Sequence, residues 1–336
     1  MMRRAIRIGV LVAVIGVSGT AAVYVAKQEP RDITAVSASA PSGGEAAAIG
    51  GYTYERLENP ARTVVRDSLG TQLASFTDGS RSAMLTGKSR TFAEPKFTAA
   101  TVTSSAWIRF APEPWKAGAE REGWFRDWLP KALGDTSPDL LAIALQYTDG
   151  SQPQTSKKLR VAGDASFGPD SAEGRLEKSD FYDYLGVDWE FPDKREKAER
   201  ARFGSLDCSG FVRMVYGYRA GYPLLGGNTK GPGLPRRAWA MSELGPGTQL
   251  IEDARAQATN YAALQPGDLL FFNLEPALGP RVSHTGIYLG LDSDGRRRVL
   301  SSRKVANGPT FGDAGGTSLI DGEGTYAKAF RAAKRL

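Results

Sequence analysis

Leu206-Asp207-Cys208-Ser209-Gly210-Phe211-Val212-Arg213-Met214-Val215-Tyr216 predicts a helix that opens on a cysteine. Phe211, Val212, Met214, Val215 and Tyr218 recur at i, i+1, i+3, i+4 and i+7, the spacing of one apolar helix face. Asp207 and Ser209 are favoured N-cap types, which places Cys208 at or just before the first turn. Free N–H groups and the helix dipole at that point stabilise a thiolate and are expected to lower the thiol pKa. The thiolate is a nucleophile, and a neighbouring base activates it further.

Cys208 is the only cysteine and His284 the only histidine in 336 residues. One cysteine cannot form an internal disulfide, and a Cys/His zinc site has too few ligands, so no metal or other cofactor is expected. Lys and Arg number 43 against 37 Asp and Glu, a net charge of +6 with both signs mixed along the chain. That mixture, with 41% hydrophobic residues, argues for a folded core and against wholesale disorder. No long basic run appears, so nucleic acid is not an expected partner. The length suggests two or three domains.

Upstream, residues 1–27 read as a signal peptide or N-terminal membrane anchor. Arg3, Arg4 and Arg7 precede the uncharged, largely apolar stretch Ile8 to Ala26, which ends at Lys27. The basic flank is expected to stay cytoplasmic, with the membrane contacted during export or anchoring and the remainder outside. An unpaired cysteine in an exported chain is a candidate reactive thiol. Residues 28–50, rich in Ala, Ser, Gly and Pro, read as a flexible linker.

Residues 51–133 read as a β-rich accessory module. Thr63-Val64-Val65, Leu73 to Phe76 and Thr101 to Phe110 are strand-like, with Asp78-Gly79 and Thr86-Gly87 as turns between them. From Glu120 to Leu133, Trp124, Phe125, Trp128 and Leu129 take helical spacing, with Gly134 as the expected C-cap and packing against a neighbouring domain as the expected role. Ser137-Pro138 opens a second helix through Leu145. Residues 149–204 read as polar loops punctuated by aromatics, without visible chemistry.

Downstream, Leu264-Gln265-Pro266-Gly267-Asp268 reads as a turn that opens the buried strand Leu269-Leu270-Phe271-Phe272. Val282 to Gly290 reads as the next strand, with His284, Gly286 and Tyr288 on one face and Thr285, Ile287 and Leu289 on the other. Asp292 to Gly295 turns the chain back into Val299-Leu300-Ser301-Ser302. The only imidazole therefore belongs to a β-meander downstream of the cysteine helix.

The blocks Asp207–Phe211, Leu234–Arg236, Leu264–Phe272 and Ser283–Gly290, in that order, resemble the NlpC-type cell-wall cysteine peptidases. Each block alone is weakly specific; the four in order are specific and span about residues 140–336. The resemblance implies an α+β, papain-like domain over 134–336, with a Cys-bearing helix packed on an antiparallel sheet. It implies Cys208 as nucleophile, His284 as general base and the Cys208 N–H as an oxyanion donor. A third polar residue orients the imidazole in many members. The matching point here falls at Leu300, with Ser301 and Ser302 beside it; Ser301 is the catalytic candidate, with Ser302 or a backbone carbonyl as the alternatives. The family's aromatic-Gly-Gly block is missing before the cysteine, with Gly163 to Gly168 as a possible remnant. Extra residues at 169–204 and 237–262 are expected to rim the cleft.

The resemblance implies hydrolysis of peptide bonds in peptidoglycan stem peptides, by a chain expected to be secreted or anchored at the outer face of the plasma membrane. Arg236, Arg237 and Arg303 are candidate partners for stem-peptide carboxylates. Two other classes use the same residues: a Cys–His acyltransferase or amidase acting on another amide, and a non-catalytic cell-wall binding protein.

Overall fold

The computed structural model describes residues 47–172 and 174–336. The segment 1–27 and most of the linker 28–50 lie outside the described residues. The architecture mixes helix and sheet around two antiparallel six-stranded sheets.

The first sheet runs in chain order: β1 (Ala47–Ile49), β2 (Tyr52–Leu57), β3 (Arg62–Arg66), β4 (Gln72–Thr77), β5 (Ser82–Ala93) and β6 (Thr101–Phe110). β1 falls inside the stretch read as linker and pairs with β2 across Gly50-Gly51. Thr86-Gly87, expected to turn the chain, lies within β5 instead. The ladder to β6 slips between Thr86 and Arg90. A Cβ on Gly87 would stand 2.5 Å from the Trp107 indole, so this glycine marks a close ring contact and not a chain reversal.

Helix α1 (Gly123–Gly134) and α2 (Leu140–Leu145) follow. α1 buries Phe125 and Leu129 against Phe76 and Trp115, whose rings stack at 4.6 Å. The tryptophan-rich helix thus packs on its own sheet and not on a neighbouring domain. Gly134 ends α1 as its last helical residue, and Asp139, not Ser137, caps α2 by accepting from Ala142 N at 3.0 Å.

The region read as loops holds two short hairpins, β7 (Gln154–Ser156) with β8 (Leu159–Ala162) and β9 (Trp189–Glu190) with β10 (Arg195–Glu196), separated by α3 (Phe181–Leu185). Then come α4 (Cys208–Val212) and α5 (Ala238–Glu243). The second sheet comprises β11 (Thr248–Ile251), β12 (Leu269–Phe272), β13 (His284–Leu291), β14 (Arg297–Arg303), β15 (Gly308–Thr310) and β16 (Phe330–Arg335), with α6 (Thr325–Ala329) leading into β16. The order is β11-β16-β12-β13-β14-β15.

Both faces of this sheet are covered, which is why β12 is apolar at every position. Leu269, Phe271, Ile287, Leu289 and Leu300 share a core with Phe211, Val212 and Val215 of the cysteine helix. Leu270, Phe272, Tyr288 and Val299 pack with Tyr326 and Ala329 of α6. Each such side chain withdrawn from water contributes about 1.5–3 kcal/mol. α4 continues through Arg213–Arg219 in wider turns, with Ala220 N donating to Val215 O. It is buried on nearly every side and not along one stripe, so the amphipathic expectation is corrected: this is a central helix.

The Gln265 to Asp268 turn closes with Gln265 N donating to Asp268 Oδ2 at 2.7 Å. Arg335 then grips the same carboxylate through two bonds of 2.8 Å and reaches Thr77 of β4 with Nη1 at 2.5 Å. Ser82 N donates to Leu336 O at 2.5 Å, and Ile108 N to Asp139 Oδ2 at 2.7 Å. Buried hydrogen bonds of this kind join the first sheet to the chain that follows it.

Candidate active site

Asp207 caps α4 by accepting from Gly210 N at 2.7 Å. Cys208 therefore takes the first helical position, as its neighbours' residue types predict. Gly210 is fixed by close approach: a Cβ there would meet the Ser179 carbonyl oxygen at 2.1 Å, so any larger residue would push the cysteine helix away from the preceding segment. Ser302 ties the same turn to the sheet, its Oγ donating to Leu206 O at 2.5 Å.

The arginine of the Leu234-Pro235-Arg236 block is structural. Arg236 donates to Asp207 Oδ2 at 2.7 Å and to Ser209 Oγ at 2.7 Å, and its Nε lies 3.2 Å from Asp180 Oδ2. Asp180 caps α3 and also receives Arg213 Nε at 3.0 Å. Arg213 is fully buried and spends Nη1 on the carbonyls of Leu225 and Leu234, each at 2.8 Å. Arg236 is thus consumed in holding the residues on either side of Cys208, and the expectation that it pairs with substrate is corrected. Asp180 sits in the segment where the sequence showed no chemistry; a lone acid among loops gives no signal of burial.

His284 is the first residue of β13 and is buried. Its ring lies 6.0 Å from that of Phe272 and 5.6 Å, edge to face, from that of Tyr326. Nε2 is buried without a hydrogen-bond partner among the described residues. The ladder pairs Ile287 with Leu300, so Gly286 faces Ser301 one step nearer the hairpin's open end. Ser301 is fully buried, and its Oγ accepts from Arg303 Nε at 3.2 Å. Among the described residues no hydrogen bond joins Ser301 to His284, so the geometry does not support Ser301 as the orienting group.

Cys208 and His284 line one cleft of about 560 Å³. Glu177, Arg237, Trp239, Lys304 and Tyr326 also line it. Of the extra segments expected to rim it, 169–204 contributes Glu177 and 237–262 contributes Arg237, Ala238 and Trp239. Glu177 lies between Arg237, at 3.8 Å, and Lys304, at 3.3 Å. Arg303, the third arginine expected to meet substrate, is buried and directs its Nη1 to Gly316 O at 2.8 Å. Arg303 and Arg237 both line the cleft, and Arg237 is the one that is not buried.

Residues 194–308 match the NlpC/P60 family. The match contains Asp207, Cys208, Arg213, Arg236, His284 and Arg303, and leaves the first sheet, Asp180 and Tyr326 outside it. No curated protein matches the chain. The NlpC/P60 family comprises cysteine peptidases and amidases that act on peptidoglycan.

The resting electrostatics of the cleft reverse the expectation drawn from the helix dipole. Burial pushes the Cys208 thiol up to about 12, the Asp207 charge adds to this, and a hydrogen bond from the Thr285 N–H opposes it. Burial and then the Arg303 charge push His284 down to about 3, with Asp207 opposing. Asp207 itself is pushed up by burial, but Arg236 outweighs that and holds its carboxyl below the usual range. Loss of water acts on both members of the pair, and each shift favours the neutral form, thiol beside imidazole.

The pH dependence of alkylation follows directly. A raised thiol pKa makes thiolate scarce at neutral pH, so the iodoacetamide rate of the substrate-free chain should climb about tenfold per pH unit from pH 7 to 10. Mass spectrometry of the Cys208 adduct measures it. A rate already on a plateau below pH 7 would show a preformed thiolate–imidazolium pair and contradict this picture.

Proposed function

We propose that the chain is an exported cysteine peptidase that hydrolyses peptide bonds in peptidoglycan stem peptides through Cys208 and His284. The observation that carries this reading is that the only thiol and the only imidazole share one cleft, the thiol at the start of a buried helix and the imidazole at the end of an antiparallel hairpin. A cysteine helix laid on a sheet that bears the histidine also supports a papain-like domain.

In the substrate-bound cleft, His284 takes the thiol proton as Cys208 Sγ attacks the carbonyl carbon. The neutral resting pair means that this transfer accompanies the attack. The Cys208 N–H, for which no hydrogen bond is found among the described residues, donates to the developing oxyanion in this reading. His284 then returns the proton to the leaving amine, and water hydrolyses the thioester. Arg237 and Lys304 are the cations left to meet a stem-peptide carboxylate. In this reading residues 1–27 direct export or anchor the chain, and the stretch that follows is the tether.

The test is mass spectrometry of muropeptides after purified wall is incubated with the full chain. Pairs of new stem-peptide fragments are expected whose masses together exceed that of their parent by one water. Products cut only in the glycan, or an unaltered muropeptide pattern, would reject the proposal.

A further inference from the structure

The imidazole of an acid–base histidine needs its distal nitrogen held, yet His284 Nε2 has no acceptor among the described residues. The ladder pairs the His284 backbone with Phe272, and its ring is flanked by other rings. Phe272 of β12 flanks it at 6.0 Å and Tyr326 of α6 at 5.6 Å. The far partner of Tyr326 is Arg303, whose guanidinium lies 4.0 Å from the phenol ring centre. Imidazole, phenol ring and guanidinium thus form one buried series.

Arg303 is held by the chain that follows β15. Nη1 donates to Gly316 O at 2.8 Å, and Nη2 donates to Ser318 Oγ. Ser318 Oγ in turn donates to Gly312 O, which closes the loop. That loop is anchored from the first sheet. Glu94, beside the end of β5 and itself buried, accepts with Oε2 from Thr310 Oγ1 at 2.7 Å and from the N–H groups of Phe311 and Gly312, each at 2.9 Å. Asp313 N donates to Phe97 O at 3.0 Å, and a Cβ on Gly312 would stand 2.3 Å from Phe97. A carboxylate accepting three bonds in a dry site forms a rigid anchor.

We propose that Glu94, Arg303 and Tyr326 form a positioning chain for His284, so that the first sheet is a working part of the peptidase centre and not an appended module. This rests on the Cys208–His284 reading of the site. Tyr326 acts through its ring, which fixes the imidazole plane. Arg303 fixes the ring, and Glu94 fixes the loop that fixes Arg303.

The lone histidine makes the test direct. In the full chain, untagged and labelled with ¹⁵N-histidine, a single imidazole reports tautomer and titration by NMR. Tyr326→Leu and Glu94→Ala should each average the two ring-nitrogen signals. Each should lower kcat about tenfold or more with KM within about twofold, since a small misplacement of a reacting group is costly. Tyr326→Phe, which keeps the ring, should retain the wild-type signals and kcat within about threefold. Glu94→Gln, which keeps an acceptor oxygen for the three donors, should restore most of what Glu94→Ala loses. If Glu94→Ala does not fold, Thr310→Val removes one of the three donors and should shift the same signals by a smaller amount.

Wild-type imidazole signals in a folded Glu94→Ala or Thr310→Val variant would overturn the link to the first sheet, and in Tyr326→Leu they would overturn the stack. A chain that releases no wall peptides while its imidazole responds to Glu94→Ala would defeat the proposed function and leave the positioning chain standing. An active chain whose imidazole ignores every substitution would do the reverse.

Discussion

Cys208→Ala is expected to abolish release of stem-peptide fragments from purified wall, by a factor on the order of 10⁴ or more, while the chain stays folded. The sulfur is the only nucleophile of its kind in the molecule, and the cleft that holds it also holds the only imidazole. Trimming one atom removes the attack but leaves the Asp207 cap, the Gly210 contact and the Ser302 tie in place. Melting should therefore move by no more than the loss of a small buried contact, about 1 kcal/mol. Muropeptide analysis and thermal unfolding are measured on the same preparation. Undiminished release from a folded Cys208→Ala chain would remove Cys208 from the mechanism.

Arg236→Ala is expected to cost about 3–5 kcal/mol and to lower the melting temperature by roughly 10 °C. Its guanidinium lies between two buried carboxylates, Asp180 and Asp207, and the truncation leaves both with one cation fewer. Arg213 still faces Asp180, so the larger loss falls on Asp207 and on the turn that presents Cys208. Activity should fall with stability, and Arg236→Lys should recover only part of either, because an ammonium cannot bridge both acids and Ser209. The pH dependence has a definite sign. Arg236 holds the Asp207 carboxyl below its ordinary range, so its contribution is complete at neutral pH and is lost as pH falls through that lowered value. The gap between wild type and Arg236→Ala should narrow in acid. An Arg236→Ala chain that melts with the wild type would show that the network does not hold the site.

Much of the molecule could be read in advance where local chemistry dictates it. The helix start at Cys208 follows from Asp207 and Ser209, both residue types that can cap. The strand at Leu269–Phe272 follows from four apolar residues after a turn, and the His284 strand from its alternation. Thr101–Phe110 forms the strand its Thr- and Val-rich composition predicts. Local signals failed where one residue type serves two ends. Gly87 looked like a turn because glycine permits one, yet it serves the Trp107 ring. Arg236 looked like a substrate ligand because arginine suits carboxylates, yet the carboxylates it meets are the protein's own.

The amino-acid order alone marked a single thiol at a helix start and a single imidazole on a strand, each introduced by its own short motif, since cap chemistry, strand alternation and residue counts are properties of neighbours along the chain. Tertiary structure alone decided their charge state and their supports. Burial, which no local pattern encodes, drives the Cys208 and His284 shifts toward the neutral pair. The groups that fix His284, from Tyr326 back to Glu94, come together only when segments more than 200 residues apart pack against one another.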